Sequence, residues 1–93
     1  MSQPDSADLV DAHRHCHHNR RELAVSDVCG CFHCGLVCGP RDIAEWIDPV
    51  DDLAQPGQTA LCPGCGIDSL IGDESGYPIT DQFLHAMRIH WFS

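Results

Sequence analysis

The pattern C-x-x-C-G occurs twice in this chain, as Cys31-Phe-His-Cys34-Gly35 and as Cys62-Pro-Gly-Cys65-Gly66. Spacing by two lets amides in the turn point at the thiolate sulfurs, and the glycine after the second cysteine accepts the positive φ that such a turn requires. Two turns of this kind supply four ligands to one tetrahedral ion. Residues 35 to 61 separate the pairs, a spacer somewhat longer than a ribbon usually has, with room for a helical turn and a loop. Cys31, Cys34, Cys62 and Cys65 are therefore the expected metal ligands.

At 93 residues the chain makes one domain at most, and one this short buries a modest fraction of its surface, so a staple is expected. Seven cysteines offer it, as disulfides or as metal ligands. The odd count and the knuckle spacing favour metal. No positively charged start leads into an apolar run, and nothing approaches the ~20 apolar residues of a membrane span. A cytoplasmic protein without membrane attachment is expected, with reduced thiols and one structural zinc; iron is the lesser expectation. Four thiolates leave no open coordination position, so the ion is expected to fold the chain rather than polarise a substrate. The zinc-deaminase signature is absent, since no H-x-E occurs and the proline lies inside the second pair.

The formal charge is −9, with 14 acids against five arginines. Such a surface repels phosphate backbones and suits a basic protein partner. The segment HRHCHHNRR, residues 13 to 21, is a local exception, but Asp5, Asp8, Asp11 and Glu22 flank it. Nucleic acid is not the expected partner.

Residues 1–17 read as a polar, His-rich N-terminal segment and 18–93 as one zinc-binding domain. Within the segment, a weakly amphipathic helix capped by Ser6 is expected. Asn19-Arg-Arg-Glu22 has the form of a capping box, predicting a helix to about Ser26. Pro40 sits where a first helical turn accepts it, so residues 40 to 46 read as one or two helical turns with Ile43 and Trp46 facing the core. Residues 48 to 58 read as an exposed loop and Thr59-Ala-Leu61 as a short strand. The stretch IDSLIGDESGYPIT is turn-rich, either packed over the cysteines or serving as a partner surface. A helix capped by Thr80 follows, expected to lay Phe83, Met87 and Trp91 over the metal-bearing half.

Three thiols and several histidines stand outside the two pairs. Cys29 could replace Cys31 as a ligand or act as a reactive thiol, though a buried small side chain is the commoner reading. Cys16 and Cys38 read as bystanders, and His33 as a solvent-facing knuckle residue. On a helix, His13 and His17 share a face with Cys16 and could hold a second ion; a solvated polar segment is the plainer alternative. The run His18-Asn19-Arg20 is similar to the active-site residues of treble-clef nucleases. Those enzymes place their histidine between the cysteine pairs, whereas residues 35 to 61 contain none.

Taken together, HNRREL, SDVCGCFHC, EWID, TALCPGCGIDSLIG, GYPIT and the terminal HWF resemble an uncharacterised family of small bacterial cytoplasmic proteins. The resemblance spans roughly residues 18 to 92 and implies a zinc-bound domain without an assigned activity. The knuckles are also similar to zinc ribbons and to rubredoxins, although the tyrosine-rich stretch that follows the first rubredoxin pair is replaced here by LVCGP. The expected fold is small α+β, zinc-ribbon-like or treble-clef-like, with flanking helices. The expected function is a non-catalytic, zinc-stabilised protein-interaction module with an acidic surface, including the variant of an inhibitor that mimics nucleic-acid charge. The alternatives are a metal-dependent hydrolase or nuclease using the His13–His18 segment, and rubredoxin-like electron transfer.

Overall fold

The computed structural model describes residues 5–49 and 56–92. Helix α1 (Ser6–His13) leads into a 3-10 turn, Arg14–Cys16, and then the short α2 (Arg20–Ala24). The strands are β1 (Cys29–Cys31), β2 (Val37–Cys38), β3 (Trp46–Ile47), β4 (Thr59–Ala60) and β5 (Leu70–Gly72), and α3 (Asp81–Phe92) comes last. Every pairing is antiparallel, in the order β2-β1-β5 and, separately, β3-β4. This is a small α+β arrangement. No helix among the described residues is long and apolar enough to cross a membrane.

Strands β1 and β5 divide the interior. They pair Cys29 with Gly72, Gly30 with Ile71 and Cys31 with Leu70, and alternate side chains of a strand point to opposite faces. Cys29, Cys31 and Leu70 pack with Leu23, Ile43, Ala60 and Cys62 on one side. Ile71 packs with Leu9, Ala12, Cys16, Phe32, Phe83, Leu84 and Met87 on the other. A Cβ on Gly30 would lie 2.7 Å from Ile79 Cγ2 and 2.8 Å from Leu84 Cδ1, so the start of α3 and the segment before it press directly on strand backbone. Gly72 does the same for the opposite side, where a Cβ would lie 2.2 Å from Ser26 Oγ and 2.9 Å from Leu23 Cδ2. The layers are thus α1 with α3, then the ribbon, then α2 with the cysteine turns.

Helix α3 begins as expected, with Thr80 Oγ1 accepting from the Phe83 amide at 3.2 Å. Its placement differs from expectation. Phe83 and Met87 are buried against α1 rather than over the cysteines, because the ribbon stands between. Trp91 remains 37% exposed, with its indole donating to the Leu9 carbonyl at 3.1 Å. Helix α1 is capped by Asp5, not Ser6: Asp5 is extended and its Oδ1 accepts from the Asp8 amide at 2.9 Å.

Other elements also depart from expectation. Asn19 makes no side-chain cap to α2, which ends at Ala24. Residues 40–42 form a single 3-10 turn, after which the chain extends at Ile43 and pairs Trp46 with Ala60. The ladder to β4 captures residues that helix propensity alone would have kept coiled. Thr59 and Ala60 form the expected strand, and Leu61 continues it, its amide donating to Glu45 O at 3.0 Å. Within the loop expected over 48 to 58, residues 50 to 55 lie outside the described residues. The turn-rich stretch after Cys65 contains β5, with Ser69, Leu70 and Ile71 fully buried.

Candidate metal centre

The two cysteine pairs fold into the same turn twice. In the first, the Cys31 amide donates to Leu36 O and the Gly35 amide to Cys31 O, each at 2.9 Å. In the second, the Cys62 amide donates to Ile67 O and the Gly66 amide to Cys62 O, again at 2.9 Å. Gly35 and Gly66 take φ of 82° and 78°, the left-handed conformation that glycine adopts without a steric penalty. Amides aim at sulfur from inside each turn: His33 N at 3.4 Å and Cys34 N at 3.5 Å from Cys31 Sγ, and Gly64 N at 3.3 Å from Cys62 Sγ.

Facing each other, the turns bring four sulfurs to within 4.8 Å of one another. Cys31 Sγ lies 3.7 Å from Cys65 Sγ, and Cys34 Sγ lies 3.7 Å from Cys62 Sγ. A disulfide requires about 2.05 Å, whereas sulfurs placed 2.3 Å from a central ion at tetrahedral angles stand about 3.8 Å apart. The donor set and its spacing therefore suit a metal ion. Electrostatics agree. Cys31 is held below the usual thiol range: burial pushes it up, but the Ser69 hydroxyl 3.1 Å away and the Cys34 and His33 amides outweigh that. With that charge in place, Cys65 is pushed up to about 12, by burial first and then by its contact with Cys31. A cation is what allows all four to be thiolates together. Cys31 and Cys62 are buried, while Cys34 is exposed and Cys65 half-buried, so the cluster sits near the surface.

The remaining thiols stand apart from this cluster. Cys29 is fully buried, and burial, reinforced by Cys38, Asp73 and Asp42, pushes its thiol up to about 12. A thiol so disfavoured as thiolate is a packing group. Cys16 is buried in the α1–α3 core and is pushed up to about 11, chiefly by burial.

In the histidine segment the structure does not form the alternative ion site of His13, Cys16 and His17. His13, Cys16 and His17 do not converge, because the helix gives way to the 3-10 turn and His17 is extended at φ −124°, ψ 137°. The His13 ring packs against Trp91 with centroids 4.0 Å apart, and Cys16 faces the core. His17 instead lies beside His18 and Asp48. Asn19 is buried, its Nδ2 donating to His15 O and Leu70 O at 2.9 Å each, and its Oδ1 accepting from the Ala60 amide at 3.2 Å. Both polar atoms of that amide are thus engaged in bracing the backbone. Arg20 is likewise engaged, donating to Gly57 O at 2.8 Å with its guanidinium 4.6 Å from the Trp46 ring centre. His33 is half-buried rather than solvent-facing, set edge-on to Phe92 with centroids 4.8 Å apart, and its backbone carbonyl accepts from Arg88.

Two residues that matter to the centre take roles that the sequence reading did not give them. Ser69 hydrogen-bonds the Cys31 sulfur from 38 positions away. Asn19 ties the chain just before the second knuckle to the chain just after it, through Ala60 and Leu70. No protein-family model matches the chain, and neither the curated proteins nor the solved structures contain a match. The resemblance seen in the sequence is thus supported as far as the clustered cysteines and no further.

Proposed function

We propose that the chain is a zinc-stapled, ribbon-like protein-interaction module whose acidic surface engages a basic protein partner. The observation that carries this reading is the gathering of four cysteine sulfurs within 4.8 Å of one another, all four supplied by the chain itself. A centre so closed has no place for water or substrate, and its contribution is folding free energy. The net charge of −9 supplies the second part of the reading, since it favours encounter with a positively charged surface.

Elemental analysis of untagged protein, with a visible spectrum of the same sample, tests the first part. One zinc per chain and no colour support the module; one iron with thiolate colour would replace it by an electron-transfer centre. Capture of partners at rising salt tests the second part, because binding steered by charge weakens as the Debye length shrinks. Binding insensitive to salt would remove the acidic surface from the account.

A further inference from the structure

His17, His18 and Asp48 come together on the side of the molecule that carries β3 and β4. Each offers one ligand atom, and the three atoms lie within 4.8 Å of one another. The two imidazoles stack with centroids 3.9 Å apart and planes 20° from parallel. His17 Nδ1 stands 3.6 Å from Asp48 Oδ2. That is too long for a good N–H···O bond, yet close to the separation of about 3.3 Å that nitrogen and oxygen ligands take around a shared zinc-sized ion.

The backbone beneath these side chains is held on both sides. The His18 amide donates to Thr59 Oγ1 at 2.9 Å, and the Arg20 amide to Gln58 O at 3.0 Å. Across the hairpin, the Gln58 amide donates to Ile47 O at 2.7 Å and is 3.3 Å from Asp48 O. Gly57 closes the hairpin so tightly that a Cβ there would lie 2.5 Å from the Trp46 carbonyl carbon. His18 and Asp48 both take positive φ, 48° and 56°, a conformation uncommon for residues other than glycine. The ion pair that Asp48 makes is with His17 itself, while Arg20 donates to Gly57 O and lies over the Trp46 ring. The side chains of His17 and Asp48 are 60% and 42% exposed, so an ion can reach them from solvent.

We propose that His17, His18 and Asp48 form a second metal site, for a divalent ion of the zinc class, separate from the four cysteines. Two imidazoles and one carboxylate suit zinc, cobalt or nickel far better than calcium or magnesium. Three protein ligands leave a coordination position open for water or for an oxygen of a bound molecule, in contrast to the closed thiolate centre. The site uses none of the four clustered cysteines.

The test is calorimetric titration of zinc into untagged protein already carrying one equivalent, read against variants that keep the backbone conformation. His18→Asn and Asp48→Asn suit this purpose, because asparagine tolerates positive φ. The expected result is a second equivalent on the parent chain, weakened at least tenfold in each variant and in His17→Ala. Variants His85→Ala and His90→Ala, in the exposed histidines of α3, should bind it unchanged. A cobalt titration gives an independent reading, since ions on the second site should add no thiolate charge-transfer absorption. Absence of a second equivalent, or its retention in both asparagine variants with the fold intact, would overturn the proposal.

Discussion

Asn19 joins three segments of chain through one buried amide, accepting from Ala60 and donating to His15 and Leu70. A helix cap would tolerate aspartate in its place, because aspartate and asparagine cap equally well. A brace that must donate to two carbonyls would not. Asn19→Asp is therefore expected to destabilise the metal-loaded protein by about 3 kcal/mol, as a buried carboxylate meets unpaired acceptors; an unchanged denaturant midpoint would restore the capping role. Ser69 makes a second test at this scale. Removing its hydroxyl in Ser69→Ala takes a donor from the Cys31 sulfur, and loss of such a partner typically weakens metal affinity by about 10-fold to 100-fold. Competition with a chromophoric chelator measures this. Tyr77 is the chain's single tyrosine, and its hydroxyl donates to Asp11 Oδ2 at 2.6 Å. That bond, before burial and the charges of Asp11, Asp8 and Asp5, pushes the phenol up to about 12. With the folded value above the unfolded one of about 10, the stabilisation is complete below about pH 10 and is lost as pH rises toward 12. Phenolate absorbance should titrate late in the parent chain and earlier in Asp11→Asn.

The short strands are where small residues decide packing. Gly30→Ala places a methyl group against Ile79 and Leu84, and overpacking of this kind costs about 1–3 kcal/mol. Thermal unfolding should show the loss, and because Leu84 is one of the two neighbours met, Gly30→Ala and Leu84→Ala should cost less together than the sum of the two alone. The same strands explain what could be read from sequence and what could not. The cysteine turns were legible because the backbone bonds that close them are local, from Cys31 to Leu36 and from Cys62 to Ile67. Helix α3 was legible from the Thr80 cap and the spacing of Phe83, Leu84 and Met87. Strands β1 and β5 were not, since three residues are too few to display alternation and each contains a glycine chosen by what packs across it. The pairing of residues 46 and 47 with 59 and 60 overrode local helical preference after Pro40. Asn19 and Asp48 acquire their roles from partners far away in the chain, which no local pattern encodes.

For the molecule as a whole, the proposed zinc site sets the scale of the expected stability. Structural zinc sites contribute about 10–16 kcal/mol, which matches or exceeds the about 5–15 kcal/mol by which small domains are stable. Chelation under reducing conditions is expected to abolish the far-ultraviolet signal of α3 along with the cysteine turns, and added zinc should restore both. A helical signal indifferent to chelator would mean that the core of α1 and α3 stands by itself. The ribbon argues otherwise. Cys31 contributes its sulfur to the cluster on one side, and the very next residue, Phe32, is a buried member of the core formed by α1 and α3 on the other. The peptide units Cys31–Phe32 and Leu70–Ile71 each join one cluster to the other, so a disturbance on the α1–α3 side is expected to be felt as a change in metal affinity on the cysteine side.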